Sequence, residues 1–152
     1  MPIENPLENI KECVQIAKDK ADFVAINNMI AEMKRRIFAD GVASDGSDLG
    51  KYQIDPGQHR KRRIARGLQV SYVDLKFDGS LMNALQVGKV KDRYVMGFTL
   101  AKFRLIAQGN EEQRGKEIFA PTTEEINRAQ ELRGTEIKRQ LQICLNARKK
   151  NQ

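Results

Sequence analysis

Apolar residues recur at steps of three and four near the N-terminus and share one helical stripe: Phe23, Ile26, Ile30, Met33 and Ile37. The pattern predicts a long helix with one apolar face, and Gly41 is a suitable stop signal. Asp19 interrupts the stripe. Residues 6–18 therefore either continue the same helix or form a separate one, with a break near residues 18–22.

Two helix starts carry capping signals. Asn5 can cap a helix, and Pro6 suits the first helical position. Thr122 and Glu125 have the spacing of a capping box, and apolar residues follow at helical spacing as far as Leu145. The chain should therefore begin and end in long helices.

Between these helices, the spacing of apolar residues changes from the helical period to other patterns. Val70–Phe77 alternates in a β-prone pattern and predicts a short strand or an extended lead-in. Asp78, Gly79 and Ser80 can turn the chain and start a single helical turn, which places Leu81 and Leu85 on the same side.

A hairpin and a short helix should come next. Leu85–Val90 and Arg93–Leu100 read as two strands, and the two residues between them allow only a tight turn. Ala101–Gln108 has an amphipathic pattern and predicts a short helix that stops at Gly109.

Residues 40–70 contain five glycines and Pro56, a composition that favours neither helix nor strand. A loop this long is usually a binding arm or a disordered segment. The predicted fold is thus one α+β domain spanning residues 1–152. Its two long helices pack on a small antiparallel sheet, residues 1–18 form an N-terminal extension, and residues 40–70 form a long extended loop arm.

The net charge of +7 is concentrated in two places. Residues 51–70 and residues 133–152 each carry six Lys or Arg and one acidic residue. Arg60, Lys61, Arg62 and Arg63 are consecutive, and such a run either contacts an acidic protein, contacts nucleic acid or is a solvated loop face. No aromatic residue interrupts the run, so a stacking platform for single strands is not indicated.

Candidate catalytic chemistry is sparse. His59 is the only histidine, so a histidine cluster cannot form, and no Ser or Cys lies in a nucleophile motif. Gly46–Tyr52 resembles a phosphate-binding loop only faintly, because Tyr52 stands where a metal-binding hydroxyl is needed. Cys13 and Cys144 lie far apart among apolar neighbours and read as buried thiols in a reducing compartment rather than as a disulfide. We therefore expect no catalytic residue, no metal site and no cofactor.

Four short motifs in this order resemble the virion morphogenesis and tail completion proteins of tailed phages. The motifs are Asp78-Gly79-Ser80-Leu81, Ala84-Leu85, Leu105-Ile106-Ala107-Gln108-Gly109 and Ile118-Phe119-Ala120-Pro121-Thr122. The resemblance covers about residues 30–145. The chain departs from that family in lacking a Pro-rich stretch before the last helix and in its N-terminal extension. The residues that carry the family's fold motifs here are Asp78, Gly79, Leu81, Gly109, Phe119 and Pro121.

The resemblance implies a structural virion protein that forms a ring between the portal and the tail. Its expected partners are copies of itself, with six in a ring favoured and twelve as the alternative, and the portal, other neck proteins and tail proteins. It would be made in the host cytoplasm and located in the neck or tail, without membrane contact. Packaged DNA in the channel is a further candidate contact.

The subunit or partner contacts would use the hairpin edge and the arm. The residues expected to make them are Tyr52, Arg60, Lys61, Arg62, Arg63, Arg66 and Tyr72. The rival interpretation is a small basic nucleic-acid-binding module, which rests on the isoelectric point near 9.5 and the run of cations.

Overall fold

The computed structural model describes residues 6–52 and 58–149. Over these ranges the chain has the predicted α+β fold. The helices are α1 (Pro6–Phe38), α2 (His59–Ala65), α3 (Ser80–Ala84), α4 (Ala101–Arg114) and α5 (Thr123–Lys149), and the strands are β1 (Leu85–Val90) and β2 (Arg93–Phe98). Residues 1–5, which include the predicted cap Asn5, and residues 53–57 of the predicted arm lie outside the described residues.

Helix α1 is continuous, which decides between the two alternatives for residues 6–18. Asp19 does not break it, because its carboxylate is satisfied by the hairpin: Lys89 Nζ lies 2.9 Å from one oxygen, and Tyr94 OH donates to the other at 3.0 Å. Small buried residues four positions apart, Ala17 and Ala21, allow a second helix to approach closely.

That second helix is α5, which runs antiparallel to α1, and we call the pair the two-helix stem. The start of α5 pairs with the end of α1, where Arg36 Nε donates to Glu125 Oε1 at 2.8 Å. The end of α5 pairs with the start of α1, where Arg148 bonds Glu12. The predicted capping box is confirmed: Glu125 N donates to Thr122 Oγ1 at 3.1 Å, and Thr122 N donates to the Glu125 carboxylate at 2.7 Å.

A disulfide joins Cys13 of α1 to Cys144 of α5, so the expectation of two separate thiols is wrong. The antiparallel packing brings residues 131 positions apart in sequence to a Cα–Cα distance of 5.6 Å, within the range that a disulfide requires. The bond links the start of α1 to the end of α5. Arg36 and Glu125 join the two helices at the other end of the stem.

The predicted hairpin is confirmed, with Leu85 opposite Phe98 and Val90 opposite Arg93. The second strand ends two residues earlier than expected. The hairpin lies against α1, where the Tyr94 and Phe23 rings have centroids 5.4 Å apart.

The stretch before the hairpin, residues 70–77, is an irregular lead-in and not a strand, and Leu75 within it has a left-handed φ of +50°. Gly41 explains how this stretch crosses the end of α1. Its φ is +67°, and a Cβ added there would lie 2.4 Å from the Val73 carbonyl oxygen. Only glycine fits this crossing.

Helix α4 is longer than predicted, because it passes through Gly109 and ends at the left-handed Gly115. Two side chains near its C-terminal end hold the extra residues in place. Glu111 accepts hydrogen bonds from Ile118 N at 2.8 Å and Phe119 N at 2.9 Å, and Arg114 Nη1 donates to Leu49 O at 3.1 Å. These partners are distant in sequence, so Gly109 looks like a stop signal when only local pattern is read.

The segment 40–70 differs from the expectation of a region without periodic structure. It contains α2, and its described residues fold back on their own chain. Ala43 and Leu49 are buried in the main core beside Met33, Ile37 and Val73. The described part of the predicted arm is therefore an integral layer of the domain.

Candidate interaction surface

Arg63 is the centre of a buried polar cluster. It lies on α2 and is fully buried, although it belongs to a run of four cations. Its Nη2 donates to both carboxylate oxygens of Asp74 at 2.8 and 3.0 Å. Nε and Nη2 also donate to the carbonyl oxygen of Gln69, each at 3.0 Å, and Nη1 donates to that of Lys76 at 2.6 Å. The sequence groups Arg63 with the partner-binding cations, but in the structure its charge is neutralised inside its own chain.

Tyr52 completes this buried cluster. Its hydroxyl donates to Asp74 Oδ1 at 3.0 Å, and the Arg63 guanidinium lies 4.2 Å from its ring centroid. Burial, followed by the negative charge of Asp74, raises the pKa of Tyr52 to about 12. The other predicted aromatic contact, Tyr72, is partly exposed and donates from its hydroxyl to Ala39 O at 2.6 Å. Both tyrosines thus contact their own chain.

The remaining predicted cations of α2 lie on the surface. Lys61, Arg62 and Arg66 are exposed, and Arg60 is partly exposed. Arg66 lies over the Phe77 ring at 4.3 Å. Among the described residues, no salt bridge joins Lys61 or Arg66 to a carboxylate. The buried Arg63 therefore holds α2 against the body of the domain, and the helix presents its other cations to solvent.

Three rings that are separate in sequence meet beside α2, and we call them the aromatic cluster: Tyr52, His59 and Phe77. His59 lies 5.5 Å from each of the other two ring centroids. Sequence reasoning missed His59 and Phe77 because their partners come from different segments. The alternating pattern around Phe77 was the one available signal, and it indicated only an extended chain.

A cleft of about 760 Å³ opens next to the aromatic cluster, and we call it the α2–α4 cleft. Its apolar lining includes Val73, Leu75, Leu81 and Ile106. Its polar lining includes Lys51, Asp78 and Arg114. The Nε atom of Arg114 is buried and has no hydrogen-bond partner in the described structure. No local pattern in the sequence indicates this cleft, since its described walls come from four separate segments.

The hairpin presents a second exposed surface. The sheet has two strands within the described residues, so each strand keeps one edge without a β partner. Val90 and Val95 lie on the outward side, with 58% and 40% of their surfaces exposed. On this side Gly88 lies opposite Val95, Gly97 lies opposite Gln86, and Arg93 lies opposite Val90. This outer face, the hairpin outer face, is therefore low, and its two exposed valines are flanked by Gln86 and Arg93.

The fold-motif residues lie where the chain changes direction. Asp78 accepts a hydrogen bond from Ser80 N at 2.9 Å. Hydrogen bonding to the Ser80 side chain, and then to its backbone, lowers the pKa of the Asp78 carboxyl group. Gly79 is left-handed, with φ of +82°, and Leu81 is buried in the core. Phe119 packs between Phe38 and Phe98, at centroid distances of 6.3 and 5.3 Å.

Pro121 and Gly109 complete the set. Pro121 follows Ala120, whose carbonyl oxygen accepts from Arg36 at 2.9 Å and from the Ser44 hydroxyl at 2.9 Å. Gly109 lies inside α4 and does not mark its end. Apart from Gly109, these residues form or support turns between the elements.

Within the described ranges, no group of three or more His, Cys, Asp or Glu side chains is arranged to hold a metal ion. None of the helices in these ranges is both long and apolar enough to cross a membrane. We found no family model, curated protein or solved structure that matches the chain.

Proposed function

We propose that this chain is a structural protein of a phage neck or tail, which assembles with copies of itself into a ring that joins the portal to the tail. The observation that carries the proposal is the hairpin. Each of its strands has one edge without a β partner among the described residues, and Val90 and Val95 are exposed apolar residues. Unpaired edges and apolar patches are surfaces that other chains cover.

The order of elements is consistent with the resemblance that motivated the proposal. A long helix, a turn with one helical turn, a hairpin, a helix and a final capped helix follow one another along the chain. A contact between different faces of identical subunits closes into a ring when the rotation between them closes. The rigid two-helix stem supports the hairpin from behind, so the hairpin outer face is held in a fixed position for such a contact.

The mass of the assembled particle tests this proposal. The purified chain should form a closed oligomer by native mass spectrometry, alone or with a candidate portal protein, and six subunits are expected. The double variant Val90→Lys/Val95→Lys should remain a single chain with unchanged circular dichroism, because both side chains are already exposed. Ile143→Lys, on an exposed position of α5, is the matched control and should assemble normally. The proposal would be wrong if the wild-type protein remained a single chain both alone and with the candidate portal protein.

A second candidate function is nucleic-acid binding through α2. The observation that favours it is the row of exposed cations beside the aromatic cluster. Binding to phosphates releases counterions, so the logarithm of the affinity should fall against the logarithm of salt concentration with a slope near −0.9 per phosphate. If no oligonucleotide binds at low salt, this candidate is excluded.

A further inference from the structure

We propose that the α2–α4 cleft is the docking site for an acidic segment of a neighbouring virion protein, which inserts an apolar side chain between α4 and the lead-in. This inference rests on the proposed structural function and names the chemistry of one partner. It concerns a surface distinct from the hairpin outer face.

The charge around the cleft selects an acidic occupant. Lys51 and Arg114 line it, and Lys61 and Arg66 of α2 are exposed nearby. Among the described residues these four cations make no salt bridge to a carboxylate. Among the described residues that line the cleft, Asp78 is the one carboxylate, and it accepts a hydrogen bond from Ser80 N. A cationic concavity with apolar walls attracts and orients carboxylates.

The apolar lining gives the occupant an anchor. Ile106 faces the cleft with 47% of its surface exposed, although the adjoining Val73 and Leu81 are buried. The volume of the cleft is in the range of sites that bind small ligands and anchoring side chains. A Leu or Ile side chain inserted here would remove Ile106 from water, and the flanking carboxylates would reach Lys51 and Arg114.

The same lining argues against a nucleic acid as the occupant. Single strands bind by stacking bases on free aromatic faces. In the aromatic cluster these faces are already used: Arg63 lies over Tyr52, Arg66 lies over Phe77, and His59 stacks on Phe77. The rest of the apolar lining, Val73, Leu75, Leu81 and Ile106, is aliphatic and suits a protein side chain.

Fluorescence anisotropy with the purified full-length chain tests the proposal. The probe is a pool of labelled peptides composed of Leu and Glu at varied spacing. A second pool, with Gln in place of Glu, and a labelled single-stranded oligonucleotide are the comparisons. The acidic pool should bind most tightly, and Arg114→Gln should weaken that binding.

Neighbouring residues of α4 supply a matched pair of variants. Ile106→Asp should weaken acidic-peptide binding by about tenfold or more, which corresponds to losing the burial of one aliphatic side chain. Leu105→Asp is the control, because Leu105 is 68% exposed and does not line the cleft. The affinity of the Leu105→Asp variant for the acidic pool should match that of the wild type.

Three results would overturn the inference: no binding of the acidic pool, preferred binding of the oligonucleotide, or equal effects of the two α4 variants. The assay does not depend on the oligomeric state. If the protein stays a single chain and binds the acidic pool, the proposed ring is wrong and the docking site is supported. If the protein forms a ring and does not bind the pool, the docking site is wrong and the ring is supported.

Discussion

Arg63 and Ile64 reverse the usual distribution of side chains between core and surface. The charged residue is fully buried, and the aliphatic residue beside it is 54% exposed. Burial of a guanidinium is tolerated when every donor is satisfied, and here Asp74 and two carbonyl oxygens satisfy them. Four consecutive cations look equivalent in the sequence. Which one turns inward depends on Asp74, and no local pattern identifies that partner.

Breaking the buried pair should be costly. We expect Arg63→Met to lower the free energy of unfolding by about 3–5 kcal/mol, because it leaves the Asp74 carboxylate buried without its cation. Arg35→Met is the control, since Arg35 lies 3.8 Å from Asp40 in an exposed pair and should contribute about 0–1 kcal/mol. Urea unfolding of both variants measures the difference. Equal losses would show that the buried pair has no special role.

Glu136 of α5 should make the free energy of unfolding depend on pH in the acid range. Hydrogen bonds from Arg139 and then Gln140 lower its pKa from 4.5 to about 2. The unfolded chain therefore binds this proton more readily than the folded chain does. The stabilisation of the folded chain by these hydrogen bonds is complete above pH 4.5 and is lost as the pH falls towards 2. The difference in melting temperature between wild type and Glu136→Gln should shrink over that window, and a constant difference would contradict the assignment.

At the scale of elements, the sequence predicts most where the signals are local. The capping box at Thr122, the hairpin around residues 91–92 and the turn at Asp78 all follow from neighbouring residues, and each is confirmed. Helix α2 was missed because its residues, rich in Arg, form no apolar stripe. The length of α4 was underestimated because Glu111 and Arg114 bind residues far away in the sequence.

The pairing of Cys13 with Cys144 is also non-local, and it makes the stem sensitive to reductant. A disulfide that closes so long a loop restricts the unfolded chain, and we expect its reduction to lower the free energy of unfolding by about 2–5 kcal/mol. Thermal melts with and without reductant measure this loss. The chain has only two cysteines, so the variant Cys13→Ala/Cys144→Ala should melt identically in both conditions.

Free thiols in the oxidised wild-type protein, detected with a thiol-reactive dye, would contradict the pairing. Cytoplasmic thiols are kept reduced. If the protein is made in the host cytoplasm, as proposed, the stem would gain this stabilisation after release from the cell.

At the scale of the whole molecule, the exposed cations of α2 should serve assembly and not folding. If the chain assembles as proposed, the triple variant Arg60→Glu/Lys61→Glu/Arg66→Glu should fail to join the proposed neck partners. It should keep wild-type helicity, because the buried Arg63 is untouched. The control reverses Lys11, Lys18 and Lys20, which are exposed on α1 and give the same change in net charge. Co-purification with candidate neck proteins measures assembly, and equal behaviour of the two variants would count against a role for α2.

The position of the sulfur bridge also determines how the molecule would carry a mechanical load. Tension applied to the chain outside Cys13 and Cys144 passes directly from one long helix to the other through a covalent bond. The intervening hairpin, cleft and basic helix are shielded from that force and cannot be pulled open. Chain outside the bridged loop lacks this protection and would be drawn out first, at about 3.5 Å per residue. If the chain is the phage connector proposed above, the pressure of a filled capsid would extend the chain outside the bridge and leave the hairpin, cleft and basic helix in shape.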